Sequence, residues 1–476
     1  MRSTFFGLEM GRRALFTQQR ALDVTGHNIA NANTEGYTRQ IADMSASQPY
    51  TVPAFNSPVT PLQVGTGVDI TAIRRVREGF LDAQIRKETS TFGYWESKQY
   101  ALKKIEVILR EPSENGLRTV MDKFWSSMQE LSKNPESEGV RALVRETGIT
   151  LANTFNQLSK QFTDLQADAD TSIGIKVSEA NNYASQINAL NKQISVLQAA
   201  GQNANDLRDK RDLLVDRLAK IMNITYSEDA AGIMTITVGG VNYVDAATAA
   251  TGIINTINKT GAGATLNWTL APAGPVTVTG GEIYGLNEVY TTITTNYLTD
   301  LNSLASTFAS EVNTLHSAGF GLGAVPPTGN NFFAGGPPIT AANLQVAAPI
   351  LAELKNIAAA STAAGSPGDG SNALKMAQLK QKLTMSAGTV TFDDFYRSLA
   401  SRLGVQSQEA IRMSGNQDFL LAQLKNNINE ISGVSLDEEM TNMVRFQQSY
   451  NAAARLVTAM DEMIDVVVNR MGLVGR

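Results

Sequence analysis

The sequence predicts a mainly α-helical, elongated, multi-domain rod with an inserted β domain, its two ends closing on one another as paired coiled-coil helices. Three observations predict it. The final segment carries an unbroken three-and-four apolar spacing. Apolar stripes of helical period fill most of the chain between residues 81 and 221. From about Met222 to Gly281 that period gives way to alternating Thr, Gly, Val and Ile.

The C-terminal spacing runs through Met443, Phe446, Tyr450, Ala453, Val457, Met460, Ile464, Val467 and Met471. That is a coiled-coil seam of about four heptads. Ser435, three residues ahead of Glu438, fits a capping box, and Asp437 and Glu439 suit the positive end of a helix. At the other end, a helix is expected from about Thr4 to Asn33. Leu8, Leu15, Leu22 and Ile29 recur every seven residues, with Gly11, Gln18, Thr25 and Ala32 between them. So narrow an apolar face does not hold a helix in water by itself. Pairing the two ends would bury both stripes and leave a broad surface of the kind a tubular assembly uses; the alternative is that each end docks on the central core of an ordinary monomer.

Gly36 breaks the first helix. Tyr37 to Met44 and Val64 to Val76 then read as strands, joined by a loop with Pro49, Pro53, Pro58 and Pro61. Helical stripes follow over Leu81–Leu109, Leu117–Leu131, Val144–Leu165, Val177–Leu197 and Leu207–Ile221, with Asn134-Pro135 as a stop. The insert contains IMTITVGGVNYV and GPVTVTGGEIYG, whose alternation and glycine pairs suit short strands. Helical period returns over Leu286–Leu315. Residues 319–388, rich in Gly, Pro, Ala and Asn, read as loop apart from a short helix at Ala373–Leu383. Helices resume over Phe395–Leu403 and Gln406–Ile431. The expected domains are 1–45 with 434–476 as the terminal coiled-coil unit, 46–224 with 284–433 as a helical bundle bearing a hairpin near 37–76, and 225–283 as the β insert.

Composition narrows the chemistry. The 476 residues carry a net charge of −5 and no cysteine. Disulfides and thiolate metal sites are excluded, and no basic surface is offered to nucleic acid. Glu9, Arg12 and Arg13 interrupt any signal-like apolar run, and no stretch reaches the ~18–20 apolar residues of a membrane span. Of the two histidines, His316 sits near a helix end and reads as capping or packing, and His27 as an assembly contact. The acids Asp437, Glu438 and Glu439 point to different helix faces, as capping groups do. Gly65-Thr66-Gly67 lacks the third glycine of a nucleotide loop. Arg74-Arg75-Val76-Arg77 reads as a solvated strand-to-helix junction able to meet acids of a neighbouring copy. No catalytic, cofactor or metal constellation emerges, so the expectation is not an enzyme.

The run Gly26-His27-Asn28-Ile29-Ala30-Asn31-Ala32-Asn33-Thr34-Glu35-Gly36-Tyr37 resembles the N-terminal motif of flagellar rod, hook and hook-associated proteins. Residues Gly433–Met440, Phe446–Tyr450 and Asp461–Met463 resemble their closing helix. Phe124-Trp125, Asn134-Pro135 with Arg141, Gln186–Asn191, Asn205–Asp212 and Val312–His316 resemble the helical domain of the FlgK family. The likeness covers about Met1–Tyr226, Gly280–Phe320 and Thr391 onward. The insert and residues 319–390 match nothing in it, and the middle is shorter than in many members.

The resemblance implies a structural adaptor, exported unfolded by the flagellar type III route with an export chaperone and located outside the cell. It would self-associate around a tube at the hook tip. The hook protein would lie on one side and a second junction protein or flagellin on the other. Neither nucleic acid nor membrane insertion is implied. The implied assembly residues are Leu8, Leu15, Leu22, Asn28, Ile29, Asn31, Gly36 and Tyr37 with Met443, Phe446, Tyr450, Val457, Met460, Ile464 and Val467. Terminal helices are expected to be loose in the monomer and ordered in the tube. The alternatives are a hook or distal-rod subunit, which shares both terminal motifs but is mostly β between them, an enzyme such as a peptidoglycan hydrolase, and an adhesin using the insert.

Overall fold

Helix α1 (Phe6–Ala30) opens the chain in this computed structural model, which describes residues 5–49, 64–109, 116–270 and 273–470. Pro53, Pro58, Pro61 and Met471 lie outside the described residues. Past α1 the Asn31 amide donates back to the His27 carbonyl at 3.0 Å, and Gly36 takes φ +78°. That left-handed turn sends the chain into β1 (Gln40–Ala46), antiparallel to β2 (Val68–Arg75) with Gln40 opposite Arg75. The first strand starts later than its pattern suggests because Thr38 is spent elsewhere: its backbone N–H donates to Asp209 at 2.9 Å.

Helices α2 (Gly79–Leu109), α3 (Leu117–Lys133), α4 (Glu138–Ala199) and α5 (Asn205–Ile221) follow. The sequence divides α4 into two stripes, but it is a single helix of 62 residues. The stretch between the stripes contains no proline, its one glycine, Gly174, is carried within the helix, and buried Ala169 and Ile173 continue the inner face across it. The insert folds as a three-stranded antiparallel sheet, β3 (Thr225–Glu228), β4 (Met234–Val238) and β5 (Val241–Val244). A short helix α6 (Ala246–Thr251), capped by Asp245, and a ribbon of β6 (Ile257–Lys259) and β7 (Leu266–Trp268) complete it. Then α7 (Gly281–Glu288) passes through a π-helical turn at Val289–Ile293 into α8 (Thr294–Ala318).

Residues 319–388 correct the loop reading. They hold β8 (Phe333–Ala334), β9 (Gln345–Val346), α9 (Ala348–Ala352) and α10 (Ser371–Gln378), and they enter the main core. Phe332 and Phe333 are fully buried among Phe124, Trp125 and Phe308. They leave no periodic signal because their ladder, β8 on β9, is only two residues long, and side chains of the helices hold the backbone around it. Asn313 of α8 accepts from the N–H groups of Phe332 and Phe333 at 2.9 and 2.8 Å. Asn156 of α4 donates to the carbonyls of Ala341 and Leu344 at 2.9 and 3.0 Å. The buried Arg141 guanidinium donates to the Pro135 and Ile357 carbonyls, both at 2.7 Å.

Last come α11 (Phe392–Ser432) and α12 (Leu436–Asp465). The two expected pieces of α11 are one helix, since Leu403, Ser407, Ala410 and Ser414 continue its buried face with mostly small side chains. The main core joins the far half of α2, α3, the first half of α4, α8 and the start of α11. A second core sets Ile173–Ile187 of α4 and the inner face of α5 against Ile236, Tyr243 and Trp268 of the insert. Ile85, Leu421 and Leu424 form a small third one near the terminal unit.

His316 is part of this scaffold. Its Nδ1–H donates to the Asn330 carbonyl at 2.7 Å, and Nε2 accepts from the Ala358 N–H at 3.0 Å. Burial, with Arg141 nearby, pushes the imidazole down to about 4. The unfolded chain takes up this proton near pH 6.5 and the folded one does not. The stability is therefore complete at neutral pH and falls as pH drops from 6.5 toward 4. Acidifying from pH 7 to pH 5 should cost about 2 kcal/mol at this site. Urea midpoints at the two pH values check it: His316→Gln should be less stable at pH 7 but lose less on acidification.

Candidate assembly interface and its joint

Helices α1 and α12 pack antiparallel. Gly7 faces Met460, Gly11 faces Val457, and Asn28, at the far end of α1, bonds Glu439. The approach is close because the contact residues are small. A Cβ on Gly7 would fall 2.6 Å from Met460, and one on Gly11 2.7 Å from Val457. The buried face of α1 is Gly7, Gly11, Thr17, Ala21, Thr25 and Asn28. Gly11 and Thr25 belong to the expected stripe, but Gly7, Ala21 and Asn28 sit one residue ahead of its large members, so Leu8, Leu15, Leu22 and Ile29 flank the contact and stay half-exposed. On α12 only Ala453 of the seam is buried. Met443, Phe446, Val457, Met460 and Ile464 are half-buried, Tyr450 is 36% exposed, and Val467, past the end of α12, is 46% exposed. Pairing therefore does not bury both stripes. It leaves apolar surface outward, including Phe5, Phe16, Leu436, Met440, Val444 and Met463.

Asn28 is the hub beneath the pair. Its amide donates to the Gln40 carbonyl at 2.9 Å and to Glu439 at 3.1 Å. Its carbonyl accepts from the Tyr37 hydroxyl at 2.8 Å and the Gln40 N–H at 3.0 Å. Every hydrogen-bonding position of this buried side chain is filled, which singles out Asn at this site. Burial and then the neighbouring carboxylates Asp206, Asp209 and Glu439 push the Tyr37 hydroxyl up, so it stays a donor. Arg39 ties the chain ends together: its guanidinium pairs with Glu438 at 2.8 Å and Glu439 at 3.1 Å, and its N–H donates to the Ser432 carbonyl at 2.9 Å. Glu439 thus does more than complement a helix end. Gly36 packs on Leu213 of α5, and Asn31 receives the Thr34 hydroxyl at 3.2 Å. His27 makes an intrachain contact, with Nε2 3.3 Å from Asp206 and its ring edge against Tyr37.

An ionic cluster fixes this hairpin to the body. Arg75 donates to Asp209 and Asp212 at 2.7 and 2.8 Å. Arg77 reaches Asp82 at 2.5 Å and Asp212 at 2.8 Å, and Arg86 reaches Asp216 at 2.6 Å and Asp212 at 3.4 Å. Burial alone would raise Asp212; Arg77, Arg75 and Arg86 outweigh it and hold the carboxyl below its usual range. Asp209 shifts the other way, because its burial outweighs Arg75. The basic run is therefore no solvated junction: Arg75 and Arg77 are largely buried against acids of their own chain, while Arg74 pairs with Asp43. The missed signal is the spacing of Asp209, Asp212 and Asp216, which places three acids on one face of α5.

Among the described residues, no helix is long and apolar enough to cross a membrane, and no three His, Asp or Glu are grouped to hold a metal ion.

The comparisons agree with this layout. The family model for the flagellar hook-associated protein FlgK helical domain matches residues 102–333. Models for flagella basal body rod protein and for the flagellar basal body rod FlgEFG protein C-terminal match residues 8–38 and 425–471, which contain most of α1 and all of α12. Flagellar hook-associated protein 1 of Bacillus subtilis is 36% identical over 513 aligned residues, covering 100% of both chains. Its Escherichia coli counterpart is 25% identical, covering 95% of this chain and 97% of the other. The flagellar hook junction protein FlgK from Burkholderia pseudomallei shares the fold, with a TM-score of 0.60 at 15% identity over 72% of this chain and 99% of that one. A mainly helical body between rod-type ends, and a relative alignable from end to end, lead to one assignment: the chain belongs to the flagellar hook-associated protein 1 family.

Proposed function

We propose that this chain, a structural adaptor of the flagellum by family, polymerises at the hook tip and joins hook to filament. The observation that carries the reading is the terminal pair. Its own contact buries mainly small residues, while Leu8, Leu15, Leu22 and the outer face of α12 stay open to neighbours. Exposed apolar surface of that kind marks association sites. Copies packed side by side would cover these faces around a tube, with hook protein at one end of the short zone and a second junction protein or flagellin at the other. Export without a cleaved signal, helped by a chaperone, would put the chain outside the cell, and its role there is assembly and not catalysis. The rod-type matches at both ends also suit a hook or distal-rod subunit, but the match over residues 102–333 favours the junction.

Deletion with complementation tests it. Cells lacking the chain should build hooks, carry no filaments and release flagellin into the medium. Normal filaments in the deletion strain would refute the junction role.

A further inference from the structure

A cleft of about 780 Å³ opens at the root of the β insert, between α2, the start of β3 and α7. Tyr94 and Trp95 of α2, Tyr226 of β3 and Tyr284 of α7 line it, and no carboxylate does. The rings are held in place. The Tyr94 hydroxyl bonds Glu288, the Tyr94 and Tyr284 ring centroids are 5.5 Å apart, and the Arg86 guanidinium sits 4.2 Å over Tyr226. Arg86 is itself fixed by Asp216, so this wall is set before anything binds. Hydroxyls such as those of Thr91 and Thr225 fill in between the rings. Aromatic walls with hydroxyls and the cations Arg86 and Lys87 among their lining suit a proline-rich segment in the extended polyproline conformation, which presents ring faces and free carbonyl acceptors at low ordering cost.

The chain supplies such a segment. Residues 50–63 read YTVPAFNSPVTPLQ, with no charged side chain and with Pro58 and Pro61 in PxxP spacing. They connect β1 and β2 at the end of the hairpin remote from the body. There Thr66 bonds the Gln48 carbonyl at 2.5 Å, and Thr17 of α1 bonds the Val68 carbonyl at 3.1 Å. From Thr66 back to Arg75 at the joint is about 30 Å of strand, and Asp82 to Tyr94 adds about 18 Å of helix beyond it. Pro61 and Pro58 are five and eight residues from Thr66, about 17 and 27 Å at full extension. Along α5 the contacts run in order, Asn205 by Ile73, Asp209 by Arg75, Asp216 by Arg86 and Lys220 by Gly93, so the cleft lies on the far side of the joint from Thr66, and these chain lengths favour the cleft of a neighbour. We propose that the cleft receives residues 50–63 of a second copy of this chain, a contact that rests on the polymerisation reading above and adds a specific link between neighbours.

The test starts from the soluble full-length protein, so its failure leaves the deletion phenotype to judge polymerisation separately. A synthetic peptide of residues 50–63 should saturate a change in tryptophan fluorescence, since Trp95 lines the cleft while Trp125 and Trp268 are each only 4% exposed. Tyr284→Ala, checked for folding by circular dichroism, should weaken binding about tenfold. A peptide with both Pro58→Ala and Pro61→Ala should not saturate. Because the native chain has no cysteine, crosslinking is unambiguous. Thr91→Cys protein mixed with Pro58→Cys protein should form an interchain disulfide, and Lys160→Cys protein, altered at an exposed site, should not. Four results would overturn the proposal: no response of the folded protein to the peptide, equal crosslinking to position 160, an intrachain disulfide in the dilute double variant, or saturation by a chitin oligosaccharide instead of the peptide.

Discussion

Asp212→Ala is expected to cost the folded protein about 3–5 kcal/mol. Asp212 is the carboxylate common to Arg75, Arg77 and Arg86. Removing it leaves three guanidinium groups crowded in a largely buried site, with Asp82, Asp209 and Asp216 as partial partners. A lost neutral hydrogen bond costs about 1 kcal/mol, whereas buried charge left uncompensated costs several. Urea unfolding followed by circular dichroism measures it. The paired change Asp212→Leu with Arg86→Met should recover part of the loss, because it removes one of the stranded cations along with the anion. A cost below about 1 kcal/mol for Asp212→Ala would mean that water screens the cluster.

Asn28→Ala should separate assembly from folding. The body keeps both large cores, neither of which contains residue 28. The joint, however, loses all four bonds of Asn28, leaving the Tyr37 hydroxyl, the Gln40 backbone and Glu439 short of partners. At 1–3 kcal/mol per buried unsatisfied group, the terminal pair should be destabilised by roughly 3 kcal/mol. Limited proteolysis of the monomer should then trim the first 40 and last 40 residues at least tenfold faster than in the parent, with the body fragment unchanged. A strain carrying the variant should be non-motile. Full motility with unchanged trimming would show that the hub is dispensable.

How far the sequence discloses this arrangement depends on what kind of force acts at each place. The α12 seam is legible because its large apolar side chains repeat at helical spacing. Its contact face on α1 is not, because Gly7, Gly11 and Ala21 carry almost no hydropathy and a close approach needs just such residues. The leucines one position later give the louder signal and point to neighbours instead. The ionic joint hides for another reason. Arg75 and Asp209 are 134 residues apart, and a run of arginines looks solvated until its partners are known. In residues 319–388 Asn313, Asn156, Arg141 and His316 hold irregular backbone one bond at a time, and single contacts have no period to detect. The matched motifs around Asn28 and Glu439 pointed to the ends of the chain, but not to the hydrogen bond that joins them.

Helix α4 has a mechanical consequence. Its 62 residues, about 93 Å at 1.5 Å each, belong to both large cores. Turning one core against the other would mean shearing consecutive backbone bonds of an unbroken helix. The body should therefore answer torsion as one stiff strut. Among the described residues, the chain crosses between the body and the terminal pair's joint outside any helix after Gly36, at Val76–Glu78 and at Ser432–Ser435. Twist imposed on a rotating shaft built of such subunits would gather at those crossings, making the joint the compliant coupling of the assembly and the body its rigid arm.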